Sequence, residues 1–327
     1  MPSTLYLHVG SPKTATTLVQ RHFSRSGVLA AHGVHYPAVG DDPTDYAQHD
    51  LGRAMLRDDY ASALAIVSRA TAGRAATLLS SEGVTNCIAS PRRFPDFVKF
   101  LRTIAGSLDA VRVIVFLREA SAFLESMYLQ SMKAGELAIP FDGYLSQRRG
   151  WHETLFRNLS EIESIGGCVV LDAHAFLPGS YAEEWRRALG FDIGLPGTAR
   201  ANPRLSLKSQ VFFRQFEAFR SRRGLAIERR DALELMGRHP SPFEDDLDRF
   251  RLYRDGVADA IRAQALAAAA RYSRHEYLLA FSAHGPTRRD GPWVDIDAVA
   301  LTPRDLDLAE EFLRCHGDGV APGSHRP

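Results

Sequence analysis

Short runs of β-branched and other apolar residues alternate, over the first half of the chain, with longer segments whose apolar residues recur at helical spacing. This alternation predicts βαβ units and a mostly parallel sheet, because parallel strands need a crossover connection that is usually a helix. Strands are predicted at residues 5–9, 76–80, 111–117 and 168–171. The third is apolar apart from Arg112, as expected of a strand that helices cover on both faces. The predicted fold class is α/β, a central sheet flanked by helices, with ligands bound beyond the carboxyl ends of the strands.

The strand pattern fades after about residue 200, where helical stripes replace it. One stripe comprises Leu207, Val211, Phe212, Phe216 and Phe219, and a second comprises Leu247, Phe250, Val257 and Ile261. The C-terminal third is therefore predicted to be mainly helical. Clusters of Pro and Gly at 190–203 and 285–292 predict loops. We expect a single domain over residues 1–316 and a disordered tail over 317–327.

The charges of the chain nearly balance, since 40 Lys and Arg residues stand against 39 Asp and Glu residues. This balance favours neither nucleic acid nor an anionic membrane as the main partner. The three cysteines form neither a disulfide framework nor a Cys-x-x-Cys spacing, which is typical of a reducing compartment. The opening MPSTLYLHVG does not resemble a signal peptide, and the longest apolar run, 263–270, is far shorter than the ~20 residues of a membrane span. We therefore expect a cytoplasmic protein without membrane insertion.

The first predicted strand leads into a segment suited to phosphate. Gly10 is followed by Ser11-Pro12-Lys13-Thr14-Ala15-Thr16-Thr17 and then by the helical pattern LVQRHF. Backbone N–H groups in such a loop and at the helix N-terminus attract an oxyanion, to which Lys13 adds a full positive charge. The alternative interpretation is an ordinary helix start with a solvated Lys13. The Walker pattern G-x-x-x-x-G-K-[ST] is not satisfied, because Lys13 comes three residues after Gly10 and has no Gly before it.

The segment Pro12-Lys13-Thr14-Ala15-Thr16-Thr17 resembles the 5′-phosphosulfate loop of the sulfotransferases that depend on 3′-phosphoadenosine 5′-phosphosulfate (PAPS). In that family a Pro-Lys-[Ser/Thr]-Gly-Thr-Thr core follows the first strand, and here Ala15 stands in place of the Gly. The resemblance implies a three-layer, P-loop-like fold, PAPS as donor, adenosine 3′,5′-bisphosphate as product, and no metal ion. It also implies that the segment from Ser11 to Thr17 binds the phosphosulfate and that Lys13 is catalytic.

A second element of the resemblance follows the third predicted strand, where Arg118 is followed eight residues later by Ser126. Sulfotransferases bind the 3′-phosphate of PAPS with an Arg at the end of a buried strand and a Ser at this spacing. An Arg at a strand end offers phosphate a planar fork of N–H donors, and a Ser hydroxyl in the next helix can supply another. The alternative is that Arg118 forms a surface ion pair with Glu119 or Glu125. The resemblance implies that Arg118 and Ser126 hold the 3′-phosphate.

Glu82 follows the second predicted strand within Ser80-Ser81-Glu82-Gly83. A Ser-x-Glu at this strand end resembles the base position in the carbohydrate-modifying branch of the family. Sulfuryl transfer needs a group that takes the proton from the acceptor, and a carboxylate with a pKa raised by partial burial can do so. The alternative is a Glu that only stabilises the dipole of the following helix.

Histidines and a late basic loop are further candidates. His8, inside the first strand, is interpreted as a wall residue with satisfied hydrogen bonds, whereas His35 and His49 are predicted to contact the acceptor. Some members of the family bring a late basic loop over the 3′-phosphate, so the resemblance suggests this role for Arg204, or for the nearby Lys208. The alternative for this loop is a solvated cluster of charges.

The predicted function is transfer of a sulfuryl group from PAPS to a hydroxyl or amine of a small-molecule or saccharide acceptor. The resemblance at Glu82 favours a carbohydrate or glycolipid. One alternative is a phosphotransferase that uses ATP and Mg²⁺, for which the run from Cys168 to Asp172 has the look of a Walker B strand. Another is a catalytically inactive protein that binds the nucleotide. The oligomeric state does not follow from the sequence.

Overall fold

The computed structural model describes residues 3–10, 16–37, 47–135, 139–174, 180–195, 205–254, 256–284 and 291–317. Within these residues a parallel sheet is formed by β1 (Thr4–His8), β2 (Ala76–Ser80), β3 (Ala110–Leu117) and β4 (Cys168–His174). The strand order is β2-β1-β3-β4. The predicted α/β class with a parallel sheet is confirmed.

Helices separate and follow the strands. They are α1 (Thr16–Ser26), α2 (Val28–Ala31), α3 (His49–Leu56), α4 (Tyr60–Thr71), α5 (Gly83–Ile88), α6 (Phe94–Ala105), α7 (Ala120–Ala134), α8 (Phe141–Gln147), α9 (Trp151–Glu163), α10 (Ser180–Leu189), α11 (Leu207–Arg214), α12 (Phe216–Arg223), α13 (Arg229–Arg238), α14 (Val257–Arg271), α15 (His275–His284) and α16 (Pro303–Gly317). Among the described residues, no helix is both long and apolar enough to cross a membrane.

Side chains that alternate along the strands give the sheet two buried faces. On one face Leu7 and Val113 join an apolar cluster with residues of α5, α6 and α9. On the other face Ile114 and Phe116 pack with residues of α1 and α10, among them Trp185. The sheet is therefore the middle of three layers. The exposed Arg112 places its guanidinium 5.6 Å from the centre of the Tyr6 ring.

Helices dominate the described residues after 205, as predicted, but two details differ from the prediction. The first stripe is divided at Gln215 into α11 and α12. The prediction of the second helical stripe, from Leu247 to Ile261, was wrong in its first half, because α14 begins only at Val257. Before it, the Asp246 carboxylate accepts hydrogen bonds from the backbone N–H groups of Leu247 (2.9 Å) and Lys208 (2.7 Å). The Leu247 carbonyl, which a helix would pair with the Arg251 N–H, instead accepts from the Leu207 N–H at 2.9 Å, and the Arg251 N–H donates to the Pro292 carbonyl at 3.0 Å.

The contacts divide the chain into two compact units, each built from three separate segments. The first unit contains the described residues of Met1–Ala120, Gly150–Ala201 and Ala260–Thr287, and the second those of Ser121–Arg149, Asn202–Asp259 and Arg288–Pro327. The first holds the sheet. The second has its own aromatic core around Phe212 and Phe216. The single domain over 1–316 stays a prediction, and the tail lies outside the described residues apart from Gly317, which ends α16.

Candidate functional site

The order of the strands identifies the edge of the sheet where a ligand is expected. The chain passes from β1 to β2 on one side of β1 and then crosses to β3 on its other side. In open α/β sheets the crevice at such a switch point, beyond the carboxyl ends of the strands, is the usual binding site. Gly10, Glu82 and Arg118 follow the three adjacent strands at this edge. Three of the sequence-predicted residue groups are therefore attached to neighbouring strand ends.

Gly10 begins the connection between β1 and α1. A Cβ at this position would collide with Thr16 Cγ2, so the backbone approaches the buried first residue of α1 as only glycine allows. The Thr85 hydroxyl bonds the carbonyl oxygens of Val9 (3.1 Å) and Gly10 (2.9 Å). The two carbonyls share the single proton of this hydroxyl, which ties the end of β1 to α5. Thr17, the second residue of α1, is half-buried.

The rest of the predicted phosphosulfate loop lies outside the described residues. These residues are Ser11, Pro12, Lys13, Thr14 and Ala15. Their assignment to the phosphosulfate stays a prediction. The same holds for Arg204. Its neighbour Lys208 is described, and its ammonium group pairs with Asp305 at 2.9 Å within the second unit.

A buried network of hydrogen bonds joins the ends of β1 and β2. The hydroxyl of Ser80 lies 2.7 Å from His8 Nδ1 and accepts a hydrogen bond from Gln20 Nε2 at 2.9 Å. The Ser80 backbone N–H donates to Gln48 Oε1 at 2.6 Å, and the Gln48 N–H donates to the Ser80 carbonyl at 3.0 Å. Neither glutamine was predicted from the sequence. Gln20 carried a usable signal, because it is a polar residue on the apolar stripe of α1, beside Val19 and Phe23.

His8 itself is only partly the satisfied wall residue that the sequence predicted. Burial lowers its pKa to about 3, so the imidazole is neutral at physiological pH. Its Nδ1 has Ser80 as partner. Its Nε2 is buried and finds no hydrogen-bond partner among the described residues.

Glu82 is half-buried and immediately precedes α5. The position of this helix is set by a close contact between two glycines, because a Cβ on Gly83 would lie 3.0 Å from Gly52 Cα in α3. Burial and then the Glu82 carboxylate raise the pKa of Tyr181 on α10, while Trp185 opposes the shift. Glu82 and Tyr181 therefore act on each other electrostatically. Tyr181 carried no signal in the sequence, since only the fold brings α10 to this part of the sheet.

Arg118 is half-buried and directly follows β3. The next residue, Glu119, is fully buried and pairs with Arg262 of α14 at 3.1 Å. Glu125 accepts a hydrogen bond from the backbone N–H of Leu252 at 3.1 Å. Both carboxylates named in the ion-pair alternative for Arg118 thus have other partners as well. Ser126 is half-buried on α7, in the second unit, and its predicted role beside Arg118 stays a prediction.

The two histidines predicted to contact the acceptor lie near β2. His35 pairs with the outer edge of β2, its N–H donating to Ala76 O at 2.9 Å and its carbonyl accepting from Leu78 N at 2.8 Å. Burial and the charge of Arg74 lower the pKa of His35. His49 is half-buried at the first position of α3, next to Gln48. His49 is thus close to the carboxyl end of β2, whereas His35 lies beside its amino half.

Asp172 is the Walker B candidate of the alternative function, a phosphotransferase. It lies on β4 with its carboxylate buried. Arg274 Nη1 lies 3.4 Å from this carboxylate and also pairs, through Nη2, with Glu163. Burial raises the pKa of Asp172 to about 6, with Arg274 acting against the shift and Glu163 adding to it. In the described ranges, His, Cys, Asp and Glu side chains do not gather in groups of three or more that could hold a metal ion.

Comparison with known proteins found no family model and no curated protein that matches this chain. The geometry of the strand ends and the two sequence motifs are therefore the features that bear on its function.

Proposed function

We propose that this protein transfers a sulfuryl group from PAPS to a hydroxyl or amine of an acceptor. The observation that carries the proposal is the switch point of the sheet, where Gly10, Glu82 and Arg118 follow three adjacent parallel strands. Two further features fit an anionic ligand at β1. The carbonyls of Val9 and Gly10 are occupied by the Thr85 hydroxyl, and the imidazole Nε2 of His8 is an orphaned buried polar atom beside Gly10.

In the proposed reaction the bond between sulfur and the 5′-phosphate oxygen of PAPS breaks, its electron pair stays on that oxygen, and sulfur bonds to the acceptor atom. Lys13 and the N–H groups at the start of α1 stabilise the charge that develops on the departing phosphate. Glu82 takes the proton of the acceptor. Arg118 and Ser126 bind the 3′-phosphate, which distinguishes PAPS from ATP.

The proposed acceptor is a carbohydrate or glycolipid. The carbohydrate or glycolipid suggested by Glu82, the contacts of His35 and His49 with it, and a cytoplasmic location all rest on the sequence. A phosphotransferase that uses ATP and Mg²⁺ has less support, because the buried Asp172 carboxylate already has Arg274 as its partner.

Ligand binding separates these functions before any acceptor is known. Adenosine 3′,5′-bisphosphate is expected to raise the melting temperature of the protein, whereas ATP with Mg²⁺ at the same concentration is expected to have little effect, because a ligand stabilises only the state that binds it. Stabilisation by ATP with Mg²⁺ alone would contradict the proposal. Stabilisation by the bisphosphate without sulfated product from any acceptor would identify the inactive binding protein.

Variants then test the roles with radiolabelled PAPS and a panel of saccharide, glycolipid and amine acceptors. Lys13→Ala and Glu82→Gln are each expected to lower turnover by about a hundredfold or more, because each removes a group that acts in the transition state. Arg118→Ala should mainly raise the Kd for the bisphosphate. Arg112→Ala is the matched control, since Arg112 is an exposed arginine near the start of the same strand. Wild-type behaviour of all the variants would overturn the site.

A further inference from the structure

Three hydrogen-bond donors near the end of β1 are buried without a partner among the described residues. They are His8 Nε2, the hydroxyl of Tyr181 and the indole Nε1 of Trp185. Leaving a buried polar atom without a partner destabilises the folded state, so native structures rarely retain one without reason. Three such atoms on one face of the sheet point to a ligand that supplies the missing acceptors.

The three side chains form one contiguous aromatic cluster. The ring centre of His8 lies 4.8 Å from that of Trp185 and 5.6 Å from that of Phe116, and Phe116 lies 4.6 Å from Tyr181. The Tyr181 hydroxyl is close to the Trp185 N–H, yet the two do not reach hydrogen-bond geometry. The rings pack on the face of the sheet that α1 and α10 cover.

The hydrogen bonds of His8 orient its ring. The Ser80 hydroxyl accepts from Gln20 Nε2 and has its own proton to donate to His8 Nδ1. On this hydrogen-bond pattern we assign the proton of the neutral imidazole to Nε2. This edge of the ring faces Gly10, because a Cβ on Gly10 would lie 3.3 Å from Nε2 and 3.2 Å from Cε1. His8 therefore presents an N–H donor beside the first residue of the proposed phosphosulfate loop.

The cluster extends from the proposed donor side to the proposed base. At one end His8 adjoins Gly10, and at the other Tyr181 responds to the charge of Glu82. In the proposed reaction the sulfuryl group passes from the phosphate held after Gly10 to an acceptor activated by Glu82. Its charge is spread over three oxygens, which neutral N–H and O–H donors in a water-poor site stabilise well.

We propose that His8 Nε2–H, Tyr181 O–H and Trp185 Nε1–H form a pocket that binds the oxygens of the sulfuryl group. This inference rests on the proposed function, since it names the contacts of that same site with the transferred group. It predicts a preference for PAPS over adenosine 3′,5′-bisphosphate, because only PAPS carries the sulfuryl oxygens.

The test is calorimetric titration, without acceptor, of PAPS and of adenosine 3′,5′-bisphosphate into wild type and variants. Tyr181→Phe and His8→Met are each expected to weaken PAPS binding about tenfold while leaving the Kd of the bisphosphate within about twofold. His8→Gln, which keeps an N–H near the position of Nε2, should retain most of the affinity for PAPS. Tyr60→Phe is the matched control, because the Tyr60 hydroxyl bonds the Arg93 carbonyl on the other face of the sheet.

The outcomes separate the two proposals. Tyr181→Phe removes an oxygen that has no described partner, so its melting temperature should equal or exceed that of the wild type. If the variants weaken both ligands equally, or neither, the pocket is wrong while the proposed function stands. If the wild type binds neither PAPS nor the bisphosphate, the proposed function fails and the pocket with it.

Discussion

Buried polar residues at the carboxyl ends of the strands differ in how completely the fold satisfies them. Ser80 has partners for its hydroxyl, its N–H and its carbonyl group, whereas His8 has a partner on one nitrogen only. Asp172 has a partner, but it shares that partner, Arg274, with Glu163. The incomplete hydrogen bonding of His8 and the shared partner of Asp172 each cost the folded state free energy. Each of these costs can be tested by mutation.

Burial makes the stability of the protein depend on the protonation of Asp172, because it disfavours the charged carboxylate. Because its pKa is raised from 3.8 to about 6, the folded state keeps a proton between pH 4 and 6 that the unfolded state has lost. The contribution of Asp172 to the free energy of unfolding therefore falls as pH rises through this range, by up to about 3 kcal/mol. Urea unfolding of the wild type and of Asp172→Asn at pH 4 to 7 measures it.

The difference in unfolding free energy between the wild type and Asp172→Asn isolates the effect of Asp172, because the other groups titrate in both proteins. Relative to Asp172→Asn, the wild type should lose stability between pH 4 and 6 and then level off. Glu163 on α9, Arg187 on α10 and Arg274 face the same carboxylate and remain in both proteins. A difference that stays constant with pH, or that grows in favour of the wild type, would mean that Arg274 outweighs burial.

At the scale of single residues, the sequence could predict the groups whose chemistry depends on position relative to a strand end. Glu82 and Arg118 were predicted to follow strand ends, and the structure places them there, while their roles stay predictions. Gln48, Tyr181 and Trp185 could not be predicted, because their contacts depend on packing between segments 32 to more than 100 residues apart, such as Gln48 with Ser80. The missing partner of His8 Nε2 likewise appears only when the rings around it are placed.

At the scale of elements, apolar runs predicted the strands well because strands buried on both faces must be apolar. The one predicted at 76–80 has the observed bounds, and β3 begins one residue early, at Ala110. β4 continues beyond the predicted end at Leu171 because its last residues, beginning with Asp172, pair with β3 although they are not an apolar run. Their partners were not visible in the local pattern.

The contact between α3 and α5 makes a prediction about Gly83. Its Cβ in a Gly83→Ala variant would lie 3.0 Å from Gly52 Cα, which is backbone and cannot rotate away. The helix must shift, so we expect a loss of about 1–3 kcal/mol in the free energy of unfolding and a displacement of the adjacent Glu82. Urea unfolding and the turnover of PAPS measure the two effects.

Gly166→Ala is the control for this prediction, because a Cβ there meets no atom within 4 Å and the backbone is not left-handed. It should change stability by less than about 0.5 kcal/mol, as surface substitutions usually do. Equal stability of the two variants would show that α3 and α5 can separate at little cost.

At the scale of the whole molecule, the three segments of the first unit depend on one another. Residues of the last segment, Ala268, Ala269 and Tyr277, belong to the apolar cluster that covers the sheet. The same segment supplies Arg262 and Arg274, the cations that pair with the buried Glu119 and Asp172. The sequence gives little sign that this last segment returns to the sheet, because its pattern is that of any other helical segment.

A chain that ends at residue 201 should therefore fail to fold cooperatively, although it keeps all the described strands. It would expose the part of the sheet cluster that Ala268, Ala269 and Tyr277 cover, and it would leave two buried carboxylates without their arginines. An uncompensated buried charge alone costs about 3–5 kcal/mol. Thermal melting followed by circular dichroism should show a broad transition or none. A chain that ends at Gly317 keeps every described residue and should melt sharply, like the full protein. A sharp transition of the 201-residue chain near the wild-type temperature would mean that the sheet does not need the returning segment.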